Sequence, residues 1–408
     1  MRTQSSETQA PSLKPIHPFP ARMAPAILWD ELPETEKPLT VLDPMTGSGT
    51  TVATARLRGH RALGFDTDPL AVLLASAWSM DVSPEQIKTK AAEALDSARR
   101  VYRLTSSGEA YPSYADDETR KFLRYWFDDT SRKQLFALSS EIQRVSPKSI
   151  RPLLLTALSR TIIVKSVGVS LAMDVAHSRP HRVYDRSPVK PFEVFEHAAA
   201  TVARNSPFVD GTKRPAAEIQ NGDARSLRLP DRAVDMVVTS PPYLNAIDYL
   251  RGHRMSLVWM GHNLKTLRGI RGTNVGSEVS LRAAQIDSEM ENVLKTLGET
   301  SALSSPDLGM LRRYVHDLAK VIQEIARVLK PKGRAVFVVG NSSVSGVFVR
   351  NSAAIEALGK LAGLELLRQR SRPLPENKRY LPPPEALGAG RKLSQRMREE
   401  VILTFAKI

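Results

Sequence analysis

Leu39-Thr40-Val41-Leu42-Asp43-Pro44-Met45-Thr46-Gly47-Ser48-Gly49-Thr50-Thr51 decides the fold. An apolar, β-branched run ends in an acid and turns at two glycines spaced i and i+2, where missing side chains let the backbone approach a ligand closely. An amphipathic helix over 50–58 follows, with Gly59 as its stop. Residues 61–66 read as a second strand, and Asp68-Pro69 starts a second helix carried by 70–79. Strand, glycine turn, helix, strand is the opening of a doubly wound, Rossmann-like α/β sheet. The third glycine of a dinucleotide fingerprint is absent, and no Gly-Lys-Ser/Thr follows, so this is not the phosphate loop of a nucleotide hydrolase.

Upstream, residues 1–14 read as a disordered tail, Ile16–Arg22 as a Pro-studded extended segment, and 24–32 as a short helix. Downstream the pattern changes. Residues 84–104, 118–144, 152–166 and 191–205 read as helices, with a loop at 105–117 and an irregular basic stretch at 168–190. The α/β pattern resumes with strands at 216–220 and 234–239, then a helix at 245–260. A Gly-, Ser- and charge-rich stretch over 261–306 holds one helix near 280–297. A long helix over 308–329 is stopped by Lys330-Pro331-Lys332-Gly333, and a buried strand over 335–339 and a helix over 351–361 follow. Strands at 364–368 and 401–405 close the sheet, joined by a basic, Pro-rich loop (Arg379, Arg391, Lys392).

At 408 residues the chain is long enough for two or three domains, or one large domain with insertions. A net charge of +15 makes a field that attracts polyanions, nucleic acid above all. There is no cysteine, which excludes disulfides, thiolate metal sites and any cysteine nucleophile. Methylation of the cytosine ring carbon, which proceeds by thiolate addition, is therefore not expected. No apolar run reaches membrane-spanning length and the N-terminus lacks an apolar signal core, so a cytoplasmic protein with no membrane partner is expected.

The second informative stretch is Thr239-Ser240-Pro241-Pro242-Tyr243, just past the strand at 234–239. Two prolines fix two φ angles and remove two amide donors. What remains is a rim of acceptors, namely the Ser240 hydroxyl and the carbonyls of Ser240 and Pro241, beside one flat ring, Tyr243. That set suits a planar heterocycle carrying an NH2 group. The lone pair of an exocyclic amine is delocalised into its ring, and two acceptors that hold its N–H bonds free that pair for attack. Tyr243 would stack on a base taken out of its duplex. Read alone, the same residues are also a stiff turn or a ligand for a small proline-binding domain.

Three acids end successive strands: Asp43, Asp66 and Asp223, the last in Asn221-Gly222-Asp223. Asp66 lies at the spacing where an acid meets ribose hydroxyls. Asp223 is placed to accept from an adenine amine, and Asp43 suits a cationic tail. Each acid alone is equally a helix cap or turn residue. Together they describe a pocket for a nucleoside with a positive tail, and S-adenosylmethionine fits.

Asp43–Thr51 (DPMTGSGTT) and Thr239–Tyr243 (TSPPY) resemble the cofactor and catalytic motifs of the S-adenosylmethionine-dependent amino-methyltransferases of DNA, with Met45 where that family has Phe. Ile16–Arg22 (IHPFPAR) is similar to the segment that lies over the cofactor's methionine end, and Asn221–Ala224 (NGDA) to the adenine contact. The resemblance covers about half of the chain. It implies a class I methyltransferase fold with a mostly parallel seven-stranded sheet and helical insertions. It implies Ser240, Pro241, Pro242 and Tyr243 as the catalytic loop, and His17, Phe19, Asp43, Pro44, Gly47, Gly49, Thr50, Asp66 and Asp223 around S-adenosylmethionine. Serine before Pro-Pro-Tyr implies cytosine N4 as the target, in double-stranded DNA, with a companion restriction endonuclease as a further partner to be tested. Adenine-N6 methylation, methylation of a guanine amine in RNA, and a non-catalytic nucleic-acid-binding module are the alternatives. The implied division is tail 1–14, cofactor half 15–80, helical insertion 81–214, catalytic half 215–260, second insertion 261–307 and C-terminal core 308–408. Many cytosine-N4 enzymes carry the catalytic motif first, and here the cofactor motif leads. The helical insertion, with Lys165, Arg179, Arg182, Arg186 and Lys190, is therefore the first candidate for DNA recognition, and 261–306 the second.

Overall fold

The structure, a computed structural model, describes residues 13–20, 22–208, 211–212, 214–244, 248–273, 275, 288–374 and 399–408. Helix α1 (Pro25–Glu31) leads into strand β1 (Thr40–Asp43), helix α2 (Thr50–Leu57), strand β2 (Arg61–Asp66) and helix α3 (Pro69–Trp78). Helices α4 (Pro84–Leu104), α5 (Asp117–Trp126), α6 (Asp129–Arg144) and α7 (Arg151–Ile162) come next. A miniature hairpin, β3 (Ala172–Met173) and β4 (His181–Arg182), separates them from α8 (Pro191–Asn205). Then follow β5 (Ala217–Asn221), β6 (Val234–Thr239), α9 (Leu250–Leu257), α10 (Leu264–Thr273), α11 (Ser288–Thr296) and α12 (Ser305–Val328). The chain closes with β7 (Leu329–Val339), a hairpin of β8 (Ser342–Val344) and β9 (Val347–Val349), α13 (Asn351–Leu361), β10 (Leu364–Pro373) and β11 (Glu399–Lys407).

Seven strands form one sheet in the order β5-β2-β1-β6-β7-β11-β10. The pairs within β5-β2-β1-β6-β7 are parallel, and β11 runs antiparallel to both its neighbours. That order with that single reversal is the class I methyltransferase fold. From β1 the chain steps outward to β2 and β5. It then returns to lay β6 on the other side of β1, pairing Val41 with Met236 and Leu42 with Val237. The order therefore reverses between β1 and β6, and a crevice opens outside their carboxyl ends.

Side chains alternate across the sheet with a period of two. Leu42, Val237, Phe337 and Leu403 face a layer that includes Leu318 and Ile322 of α12 and Ile355 of α13. Val41, Met236, Val238, Val336 and Ile402 face Ile27 and Leu28 of α1 and Val52 of α2. The helical block makes a further core that takes in Leu74 and Trp78 of α3 with Leu154 and Leu158 of α7. It is thus seated on the sheet's own helix. Among the described residues no helix is long and apolar enough to cross a membrane.

Several elements differ from the sequence reading. The helix expected over 118–144 is two helices, because Asp128 leaves the helical path to cap α6 through the Ser131 amide. The same carboxylate also accepts from the Ser187 amide and the Lys190 ammonium. Helix α10 lies in a stretch read as loop; Gly269 and Gly272 within it hid its apolar spacing. Lys330–Gly333 does not form a connecting turn after α12, since β7 begins at Leu329 and runs through it, with Lys332 at φ 63°. The β8–β9 hairpin was not foreseen; Ser345 and Gly346 turn it at positive φ. The expected helix start at Asn245, the expected helical residues 280–287, the basic loop with Arg379, Arg391 and Lys392, and residues 1–12 lie outside the described residues.

Gly49, the residue before α2, has φ +85°, and a Cβ there would meet the Ala75 Cα of α3 at 2.6 Å. Gly59 has nearly the same φ, +82°, but nothing within 4 Å of an added Cβ. Gly49→Ala should therefore lower unfolding free energy by about 3 kcal/mol, against about 1 kcal/mol for Gly59→Ala, since only the first adds a backbone clash to the left-handed strain. Denaturant unfolding of the two variants checks this; equal losses would contradict the packing of α2 on α3.

Candidate active site

The crevice between β1 and β6 is closed at its base by one hydrogen bond. The Thr239 hydroxyl, last in β6, donates to Asp43 Oδ1, last in β1, at 2.7 Å. Both residues are buried. The Met45 amide donates to the same oxygen at 3.2 Å, and the Thr51 hydroxyl of α2 donates to the Val238 carbonyl of β6 at 3.4 Å. Burial pushes the Asp43 carboxyl up to about 6, against the pull of its donors. Asp43 thus joins the glycine turn to the strand that carries the Pro-Pro-Tyr loop, and Thr51 ties the first turn of α2 to that strand. Ser240 directly follows Thr239, and Gly47 sits in the turn that begins at Asp43, so the two motifs flank one crevice. Pro44 is buried in that turn and Thr50 bonds Ser48 across it at 3.2 Å.

At the end of β2, Asp66 accepts from the Gly47 amide at 2.9 Å and from the Asp68 amide at 2.9 Å. Burial, with the negative charges of Asp68 and Asp43 behind it, pushes its carboxyl up to about 7. Gly47 adopts φ +50°, which bends the turn back toward β2, and a Cβ there would stand 3.6 Å from the Phe19 ring. Phe19 therefore lies over the glycine turn. Its ring contacts Tyr249 at 5.6 Å and His253 at 5.3 Å between centroids, and Tyr249 stacks on His253 at 16°. His253 Nδ1 is 2.5 Å from Asp68 Oδ2. Burial and the nearby Asp66 charge push the Tyr249 phenol up to about 12. Tyr249 and His253 were missed in the sequence. Their spacing by one helical turn after the Pro-Pro-Tyr loop was the available signal.

In that loop Pro241 is buried, while Ser240, Pro242 and Tyr243 are half-buried. The Tyr243 ring packs against the layer containing Phe337 and Tyr314. Burial raises the pKa of its hydroxyl above the usual phenol value, while the neighbouring Ser240 side chain and Gly340 backbone pull it the other way.

His17 and Asp223 also have partners within the protein. His17 Nε2 lies 2.9 Å from Ser159 Oγ of α7, and burial holds the ring's pKa well below the usual histidine value, so it is neutral. The Asp223 carboxylate takes a two-pronged bond from Arg225, whose other arm reaches Asp317 of α12 at 2.8 Å. A second cleft, lined in part by Pro33, Leu39, Asp235 and Lys330, lies at the opposite ends of the strands. There Lys330 already pairs with Asp235 at 2.6 Å, and none of the residues above lines it.

No family model matches the chain. It is similar to the type II methyltransferase M.MvaI of Kocuria varians, 24% identical over 387 residues, covering 89% of this chain and 84% of that protein. It is also similar to the type II methyltransferase M.BsoBI of Geobacillus stearothermophilus, 20% identical over 366 residues, covering 76% of this chain and 70% of that one. Among solved structures, a SAM-dependent methyltransferase from Methanosarcina mazei aligns over 94% of this chain and 97% of its own at 10% identity, with a TM-score of 0.34. So loose a superposition carries no weight, and the fold assignment rests on strand order.

Asp66 binds its proton in the folded chain at pH values where an unfolded aspartate, with a pKa of about 3.9, is already ionised. The folded state then holds more protons than the unfolded one, and stability falls as pH rises through the folded pKa. The thermal midpoint of the ligand-free protein should therefore rise from about pH 8 to about pH 7; below that, protonation of His17, His60 and His262 in the unfolded chain, at about pH 6.5, works the other way. Asp66→Asn should flatten that slope. A wild-type midpoint that is level or falls over this range would contradict the buried carboxylate.

Proposed function

We propose that the protein is an S-adenosylmethionine-dependent DNA methyltransferase that modifies the N4 exocyclic amine of cytosine in duplex DNA. The Thr239–Asp43 hydrogen bond carries this reading, because it sets the acceptor loop and the glycine turn on one crevice. Both curated relatives described above bear the name of type II methyltransferases. A net charge of +15 suits a polyanionic substrate.

The acids at the crevice fit the cofactor. Carboxyls at Asp43 and Asp66 are held above their usual range by burial, so a ligand that brings positive charge and hydroxyl donors restores their ionised form. Asp43, Gly47, Gly49 and Asp66 would hold it, with Phe19 and Tyr249 as the apolar cover. When bound, S-adenosylmethionine supplies an electrophilic methyl group on its sulfonium.

The chain's own work is done at the other rim. Ser240 Oγ and the carbonyls of Ser240 and Pro241 accept the two N–H bonds of the amine and draw its lone pair out of conjugation. The prolines hold those acceptors still, so little is lost to reorganisation. Tyr243 stands beside Ser240 and offers the side of its ring to the base. Once the methyl has left the sulfonium, which becomes a neutral thioether, the methylated amine gives up its proton to solvent water, so no strong general base is required.

Nucleosides from DNA incubated with the protein and cofactor, separated by mass spectrometry, should contain N4-methylcytosine. N6-methyladenine in its place would move the target to adenine, and no methylated base would sink the reading. Ser240→Ala should cut methyl transfer by about 100-fold, as loss of one positioned polar group does, with cofactor affinity by calorimetry unchanged. Equal loss of both would remove Ser240 from the amine's side of the crevice.

A further inference from the structure

The segment from Asp174 to Arg186 plays no part in the chemistry above, yet it is built against the helix that follows the catalytic loop. Gly252 of α9 meets it so closely that a Cβ would stand 2.6 Å from the Val175 carbonyl oxygen and 3.1 Å from the Ser178 Cα. The Ser178 hydroxyl donates to the Tyr249 carbonyl at 3.4 Å. Asp174 and Ser178, neither a glycine, both sit at φ 57° and bracket the turn over 175–177. Left-handed backbone at two such residues persists only where the surroundings impose it. The root is tied as well, by the Ala176 amide to the Val164 carbonyl and the Val183 amide to the Leu171 carbonyl. Through Tyr249, which touches Phe19 over Gly47, this hairpin is one side chain removed from the candidate active site.

Its outer side is exposed and basic. Arg179, Arg182 and Arg186 project from it, and Lys121 and Arg124 of α5 and Arg251 of α9 are exposed on the elements packed about it. The Arg182 guanidinium lies 5.3 Å over the ring of Tyr125, itself 50% exposed, and Val183 beside it is 51% exposed. Among the acids, Asp174 lies 3.7 and 3.8 Å from His177 and His181, and Asp185 lies 3.7 Å from Arg182. On the neighbouring elements Glu118 pairs with Arg268 and Asp248 with Arg271, and Asp117 is exposed at the start of α5. Arginines interleaved with an exposed ring make a surface suited to a sugar–phosphate backbone. A merely solvated charged face has no need of a strained turn locked onto the catalytic helix.

We propose that the Asp174–Arg186 hairpin, with Tyr125 beside it, is the surface that grips the duplex next to the target base, its arginines on the phosphates. The assignment rests on the DNA-methylating reading given above. It places substrate docking in the helical insertion rather than in the stretch after α9.

The test uses the full chain, a fluorescently labelled duplex of random sequence, and the variant Arg179→Ala/Arg182→Ala. Loss of two phosphate contacts should weaken binding at least about ten-fold near physiological salt and make the slope of log affinity against log salt shallower by about 2. Arg100→Ala/Arg103→Ala on α4 removes the same charge from exposed positions elsewhere and should change neither. Cofactor affinity should be the same in all three proteins, which confirms that they are folded. If the hairpin variant binds like wild type, or if both variants weaken equally, the surface assignment is overturned while the methyltransferase reading stands. If the wild-type protein neither binds duplex nor methylates it, the underlying reading fails instead.

Discussion

The hydrogen bond from Thr239 to Asp43 is short, buried and long-range, and the candidate site depends on it. It exists because the strand order reverses between β1 and β6. Chain connectivity alone would keep the glycine turn and the Pro-Pro-Tyr loop far apart, with the whole helical block between them. The reversal makes them neighbours. A carboxylate with its charge turned inward, held by a threonine from the adjacent strand, then fixes their relative height. The same burial that lifts the Asp43 carboxyl to about 6 makes the crevice a place where an incoming positive charge is stabilised.

The helical block is part of the same machine rather than an appendage. Arg160 of α7 donates to the Ile16 carbonyl at 2.9 Å, Asn205 at the end of α8 donates to the Pro15 carbonyl at 2.8 Å, and Ser159 meets the His17 ring. These contacts hold the N-terminal segment down so that Phe19 covers Gly47. The block also carries the hairpin that locks onto Gly252. The proposed cofactor cover and the proposed DNA grip therefore share one support, built on α3 and α7.

How much of this was legible in the sequence follows from the range of the forces involved. Strands β2 and β6 and helices α8 and α13 were read to the residue, because their apolar spacing and end signals are local. The acids at the ends of β1 and β2 were legible for the same reason. The partners of those acids were not. Thr239 read as the first letter of a motif, and only the register of β1 on β6 turns its hydroxyl toward Asp43. Asp223 read as an acceptor for an adenine amine, and its bond from Arg225, held in turn by Asp317 on a distant helix, was not legible. His17 read as a cofactor neighbour, and its serine partner comes from packing against α7. Tyr243 read as a stacking face, and the structure packs its ring against the layer of Phe337 and Tyr314. Tertiary context decided each of these, and a linear pattern does not contain it.

A crystal structure of the protein with sinefungin, a non-transferable analogue of the proposed cofactor, tests the central claim most directly. The account places the ligand in the crevice between β1 and β6, its charged tail by Asp43 and Gly47, its ribose by Asp66, and its amine-bearing carbon facing Ser240. Density for the ligand in the cleft at Asp235 and Lys330, or anywhere that leaves Gly47 and Ser240 on separate surfaces, would contradict it.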